Sequence, residues 1–267
     1  MQYRELGDTG LKISTVGFGL WTVTTGWWGI TDDAVGIGLL RRAHELGVNF
    51  FDTADTYGSG KGETLLADAL GHKRDEIIIA TKFGYDWYNH PFRRGQQERP
   101  HDWSPKFARF ACEESLKRLD TDYIDFYQLH NPRMTAIESD ELFATLEDLK
   151  SAGKIRHYGA TLGPAIGWED EGLAVIRDRD IEGLQKVDQL AFLAEGTGRT
   201  IGQAALQWLL ASPTIASTLP NIYNEEQLVE FAEAADVASL TDEELTRVQQ
   251  LYDANFGLEP QEASVGE

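Results

Sequence analysis

From Thr15 to about residue 177 the chain repeats one unit, a short apolar strand followed by an amphipathic helix, and the repetition breaks between Asp180 and Gly183. The strand-like runs lie at 15–19 (TVGFG), 48–54 (VNFFDTA), 77–83 (IIIATKF), 123–130 (YIDFYQLH) and 155–161 (IRHYGAT). Helical patterns separate them at about 31–46, 63–70, 104–119 and 139–152, with Thr31 as an N-cap candidate and Gly47 just past the first helix end. Strands alternating with helices imply a parallel sheet with helices outside it. Ahead of the series, Gly7 and Gly10 bracket a hairpin turn. After Ile181 the pattern changes to helices at 183–194 and 200–211, one strand at 214–219, a helix at 225–235 and a last helix from the N-cap Thr241, with Glu244 at the capping-box position. That makes six strands, whereas a closed barrel of parallel strands and helices has eight. The expectation is a single α/β domain over 1–267 that lacks about two strand and helix units, strands 6 and 7, near 181–182.

In such barrels the reactive groups stand where the strands end. Four polar residues meet that condition: Asp52 after VNFF, Tyr57 in the loop five residues on, Lys82 near the end of the third strand, and His130 closing the fourth. Each alone has a structural explanation, but together they converge on one mouth. An oxygen on which negative charge develops during a reaction needs a proton donor beside it. Tyrosine, with a pKa of about 10, gives up its proton reluctantly. The ammonium of Lys82 is expected to lower that pKa, and Asp52 to keep Lys82 charged and oriented. The polar loop 88–103, with Arg93, Arg94, Arg99 and His101, reads either as a solvated loop or as a lid.

The segments GVNFFDTADTYGSGKGE (47–63), IIIATKF and YIDFYQLHNP (123–132) resemble the signatures of the aldo-keto reductase family, nicotinamide-dependent carbonyl reductases built on a (β/α)8 TIM barrel. The resemblance runs from Met1 to about Ile181 and resumes to Phe256. It implies that Asp52, Tyr57, Lys82 and His130 are catalytic, that Tyr57 is the proton donor and that NAD(P)H supplies hydride to a small-molecule carbonyl substrate. It further implies cofactor contacts from Gly19, Trp21, Asp52, Thr161, Leu219, Pro220, Asn221, Tyr223 and Gln227. Trp21, Trp27 and Trp28 resemble walls of a substrate pocket.

Three departures from the family's pattern stand out. Thr161-Leu162 replaces a Ser-Asn pair and keeps only the hydroxyl; the glutamine, stacking aromatic and pyrophosphate loop of strands 6 and 7 have no counterpart; and Phe231 stands where an adenine-contacting asparagine is usual. Near the expected 2′-phosphate position stand Tyr223, Asn224, Glu225 and Glu226, so local charge favours NAD(H) whereas family habit favours NADP(H).

Alternatives from other classes are a catalytically impaired relic that senses cofactor and an aldolase-like barrel with Lys82 as a Schiff-base lysine. With 44 acidic against 24 basic residues, nine of them lysine, the net charge of −20 disfavours nucleic acid and anionic membranes and resembles a halophilic surface. A single cysteine, Cys112, excludes an internal disulfide and a cysteine zinc cluster, and a cytoplasmic protein without metal is expected. Exposed strand edges at the gap would offer a route to oligomerisation.

Overall fold

A computed structural model describes residues 1–26, 30–92, 98–162 and 183–258. Strands β1 (Tyr3–Glu5) and β2 (Lys12–Ser14) form the expected antiparallel hairpin, with Gly7 and Gly10 at φ of 53° and 74° in its connection. Side chains rarely adopt that left-handed backbone, which is why glycine stands there. Strands β3 (Phe18–Gly19), β4 (Phe50–Asp52), β5 (Ile78–Phe83), β6 (Ile124–His130) and β7 (Ile155–Thr161) then pair in sequence order as one parallel five-stranded sheet.

The helices between strands form the outer layer: α1 (Trp21–Thr24), α2 (Asp33–Glu45), α3 (Lys61–Leu70), α4 (Pro105–Leu119), α5 (Met134–Ile137) and α6 (Asp140–Ser151). Asp32, not Thr31, caps α2, its carboxylate accepting from Ala34 N at 2.9 Å. A carboxylate satisfies a free N–H and also meets the positive end of the helix dipole, so it wins over the preceding threonine. Ser104 and Ser139, where the helical patterns begin, cap α4 and α6.

Strand alternation sorts the residues into two layers. Phe51, Ile79, Phe83, Tyr127 and Leu129 face the helices and pack on Leu40, Leu66, Leu119 and Leu146 in the main core. Full burial of such side chains stabilises the fold by about 1.5–3 kcal/mol each. The opposite face carries Phe50, Ala80 and Phe126, which cluster with Ile13 of the hairpin and Ala216 from the far end of the chain. Residues from β4 to β6 and from position 216 meet there because the sheet curls, and the hairpin plugs its lower end. At Gly159 an added Cβ would stand 2.7 Å from the Phe126 ring, so glycine leaves room for that ring inside the curl.

Beyond residue 182 the expected helices are largely present: α7 (Ile201–Leu210), α8 (Glu225–Ala232) and α9 (Asp242–Asp253), with reciprocal capping boxes at Thr200/Gln203 and Thr241/Glu244. Two expectations need correction. The helix predicted over 183–194 is helical at 183–188 and then becomes a 3₁₀ turn, Ala191–Leu193. That turn buries Leu193 against Ala204 and Val248, and the packing overrides a continuous helix. The strand predicted over 214–219 reduces to one parallel bridge, Thr218 to Val16, made by Gly17 N to Thr218 O and Thr218 N to Thr15 O, both 2.9 Å. Pro213 and Pro220 bound that segment without N–H donors, and β3 is its one strand neighbour among the described residues. The described strands form an open sheet with this bridge on its β3 edge, and β7 pairs only with β6 among the described residues. No helix among the described residues is long and apolar enough to cross a membrane.

Candidate active site

The inward-facing positions of β4, β5 and β6 end in polar residues at their C-terminal ends. Asp52 is the last residue of β4, Lys82 the penultimate residue of β5, and Gln128 and His130 share the inner face of β6, with Lys82 and Gln128 in register. A two-residue period carries this face from Phe50, Ala80 and Phe126 in the apolar plug to these groups above it.

Lys82 sits at the centre. Its ammonium is paired with Asp52, donates to Thr53 O at 2.7 Å and reaches the Tyr57 hydroxyl at 3.4 Å. Gln128 Nε2 donates to the other Asp52 oxygen at 3.2 Å. Gln128 escaped the sequence reading, although its place two residues before His130 puts both on one face of the strand. The Tyr57 ring stands edge-on to His130, with centroids 5.7 Å apart, and edge-on to Trp21 at 5.0 Å. All four candidate catalytic residues therefore meet at one end of the sheet.

The electrostatics match the expected arrangement in part. Burial would lower the Lys82 pKa, but the Asp52 charge and the Tyr57 hydroxyl hold it above its ordinary value, so Lys82 is a cation. Burial also raises the Tyr57 phenol; Lys82 pulls it down and Asp52 pushes it up. The net shift is upward, which corrects the expectation of a lowered pKa: Lys82 acts in the expected direction, but desolvation outweighs it. His130 lies well below its ordinary range through burial and the nearby Lys82 and His101, so its imidazole is neutral. Its Nδ1 is buried without a hydrogen-bond partner among the described residues.

The segment after β5 folds back over this end. Tyr85 and His101 form an antiparallel bridge and stack at 4.2 Å; Tyr85 also stands edge-on to His130 at 4.8 Å. An added Cβ on Gly84, at φ 132°, would stand 2.1 Å from the Trp103 ring, so the close return of the loop requires glycine. The described end of the loop, Glu98 to Trp103, thus returns to the site end of the sheet through His101 and Trp103, while Glu98 and Pro100 stay exposed. Arg93, Arg94, Trp27 and Trp28 lie outside the described residues.

The expected cofactor contacts fall in three places. Gly19 ends β3 opposite Asp52, and an added Cβ there would meet nothing within 4 Å, so open space adjoins it. Thr161 ends β7 opposite His130, but its hydroxyl turns back to donate to Leu129 O at 3.3 Å, and Leu162 points into solvent. Leu219, Pro220, Asn221 and Tyr223 form the turn before α8, anchored where Thr22 Oγ1 donates to Ile222 O at 2.6 Å. Asn224 caps α8 through Gln227 N at 2.8 Å, and Gln227 Oε1 accepts from Tyr223 N at 3.2 Å. Phe231 lies against Gly202 of α7, where an added Cβ would stand 2.8 Å from its ring; the ring packs inward. A basic residue does reach this turn from elsewhere: Arg42 of α2 bonds Glu225 and Glu45, each at 3.1 Å. A separate groove of about 730 Å³, lined by Arg74, Glu113, Lys117, Tyr123 and Lys154, lies at the opposite ends of β5 to β7 and is remote from these groups.

Comparison with known proteins identifies the family of the chain. The model of the aldo/keto reductase family matches residues 15–170 and 167–253. The aldo-keto reductase YhdN of Bacillus subtilis is 37% identical over 164 residues, which are 60% of this chain and 47% of that protein, so the chain spans about half the length of this relative. The uncharacterized oxidoreductase YqkF of the same species is 30% identical over 305 positions, covering 93% of this chain and 96% of that protein. That alignment takes in about 248 residues of this chain (93% of 267), so about 57 of its 305 positions have no counterpart here. The holo form of aldo-keto reductase AKR11C1 from Bacillus halodurans superposes with a TM-score of 0.75 at 25% identity, over 94% of this chain and 96% of that one.

Proposed function

The chain belongs to the aldo/keto reductase family, and we propose that it reduces a small-molecule aldehyde or ketone to the alcohol, with Tyr57 as proton donor. The family's chemistry in general is carbonyl reduction by NAD(P)H on a (β/α)8 barrel. The observation that carries the finer reading is the placement of the Lys82 ammonium between Asp52 and the Tyr57 hydroxyl.

The residues present fit a nicotinamide dinucleotide at its two ends. Open space at Gly19 beside Trp21 and Tyr57 suits the nicotinamide, and the turn 219–224 with the start of α8 suits the phosphates. When bound, the dinucleotide supplies the hydride. Tyr57 Oη gives its proton to the alkoxide oxygen that develops on the substrate, and Lys82 holds the resulting phenolate. Asp52, Thr53 O and Gln128 fix Lys82 so that its charge faces Oη. Neutral His130 donates its N–H to the carbonyl oxygen and orients it. A Schiff-base role for Lys82 needs a neutral amine, and a lysine held charged by Asp52 argues against it.

The domain is one barrel lacking strands 6 and 7 with their helices, a reading supported by the break in the repeat and by the roughly 57 positions of the YqkF alignment without a counterpart in this chain. The same shortfall favours a second reading, a relic that binds cofactor without turnover. NAD(H) serves at least as well as NADP(H): Arg42 is already matched to Glu225 and Glu45, and Glu226 adds negative charge. The −20 charge fits a halophilic cytoplasm. Fluorescence titration of NADH and NADPH in molar KCl, followed by addition of p-nitrobenzaldehyde, tests the set. Binding of NADH within about tenfold of NADPH, or tighter, with oxidation on adding the aldehyde, is expected. Binding without oxidation supports the relic, and binding of neither overturns both readings.

A further inference from the structure

We propose that Arg99 is a positioning residue for Tyr57, clamping from the segment after β5 the loop that carries the phenol; this rests on the role of Tyr57 given above. Arg99 Nη1 donates to Thr56 Oγ1 at 2.6 Å and to Thr56 O at 3.4 Å, while Nη2 donates to Ser59 Oγ at 3.3 Å. Thr56 and Ser59 flank Tyr57 on either side, so one guanidinium fork spans the residue that reacts.

That loop needs outside support. Gly58, Ser59 and Gly60 have φ of 58°, 57° and 90°, and a serine rarely adopts such a left-handed backbone. Such conformations persist where surrounding contacts over-determine them. The loop's internal bonds are Tyr57 N to Ala54 O, Ser59 N to Thr56 O and Gly62 N to Tyr57 O, each 3.1 Å, and all are local. Arg99 adds three contacts from a distant part of the chain. Its own segment is fixed in turn: Asp86 N donates to Pro100 O at 2.8 Å, and Glu98 accepts from Tyr85 OH at 2.9 Å and from Arg133 at 2.7 Å. Asn131 Nδ2, just past His130, donates to Tyr85 OH at 3.0 Å. The segment Glu98 to His101 thus ties the Tyr57 loop to the turn behind His130, holding donor and carbonyl-orienting group in one frame.

Position matters here because the Lys82 to Tyr57 contact is already long at 3.4 Å. A misplacement of about 1 Å costs on the order of 10²-fold in rate. Lysine is no substitute, since a single ammonium does not reproduce a planar fork that bridges Thr56 and Ser59.

The test compares wild type, R99K and R99A, with two readouts. Hydrogen exchange of the 54–62 peptide, measured without cofactor, is expected to rise in R99A and partly in R99K, with the peptide of β5 unchanged. Single-turnover oxidation of bound NADH by p-nitrobenzaldehyde is expected to fall by about 10- to 100-fold in R99A. Cofactor affinity should be unchanged, the alkaline limb of the pH profile should move, and low concentrations of guanidinium ion should restore part of the rate. Exchange and rate both equal to wild type would overturn the proposal, as would a rate loss that tracks the unfolded fraction and resists guanidinium. If wild type binds NADH but never oxidises it, the reductase reading falls, and the exchange result alone decides whether Arg99 clamps the loop.

Discussion

Residues 16–161 reach the mouth of the sheet through five paired strands, whereas residues 214–232 reach it through one bridge at Thr218, a few side-chain hydrogen bonds and the packing of Ala216, Ile222 and Leu228. In the first region Lys82 and Gln128 sit in register on adjacent strands, and Asp52 pairs with Ala80, two residues before Lys82, so backbone pairing fixes their separations. In the second, Thr22 on Ile222 O and Arg4 on Ser212 O and Ile215 O hold the turn and its approach. Reaction chemistry tolerates little displacement, while dinucleotide phosphates are gripped by a helix start that needs only rough placement. On the proposed function, catalytic rate is expected to depend on the first region and cofactor affinity on the second, and substitutions in each should separate along that line.

The largest effect is expected from Lys82→Met, which leaves the Asp52 carboxylate buried without its cation. Stability should drop by about 3–5 kcal/mol in denaturant unfolding, the cost of breaking a buried pair, and turnover should vanish. The double variant Asp52→Asn/Lys82→Met should recover part of the stability and none of the turnover. A single variant as stable as wild type would mean that the pair does not hold the first region together.

Thr22→Val probes the second region. It removes the 2.6 Å hydroxyl bond to Ile222 O and leaves a buried acceptor unmet, at a cost of about 1–3 kcal/mol. Cofactor dissociation constants should rise about five- to tenfold, with the single-turnover rate at saturating cofactor unchanged. A rate loss at saturation would break the division between the two regions.

The smallest effect is the global one. With −20 net charge, screening by molar KCl should raise the melting temperature of the whole chain. A gain of about 2 kcal/mol corresponds to roughly 4–8 °C at this size. A melting temperature independent of salt would remove the halophilic reading and leave the comparison of regions intact.

The same asymmetry governs what the sequence makes legible. VNFFD, IIIATKF and YIDFYQLH are continuous apolar runs ending in polar residues, and local pattern alone places Asp52, Lys82 and His130 at strand ends. The interval 214–219 has the composition of a strand but, among the described residues, lacks neighbours to pair with on both sides, a tertiary condition that periodicity does not carry. The pull of Lys82 on Tyr57 is legible and the net upward shift is not, for a related reason: the partner charge is visible in the motif, but the depth of burial is not. Arg99 and Arg42 escaped assignment because each acts on a loop far from it in sequence, Arg99 on Thr56 and Arg42 on Glu225. Gln128 was within reach, two residues from His130 on one strand face.

The central claim is that Tyr57 delivers the proton while the far turn only holds the cofactor. Steady-state and single-turnover oxidation of NADH by p-nitrobenzaldehyde, run on wild type and Tyr57→Phe in molar KCl beside a cofactor titration, tests it most directly. A loss in rate on the order of 10² to 10⁴ with cofactor affinity unchanged is the expected result. Near wild-type turnover in Tyr57→Phe would contradict the account.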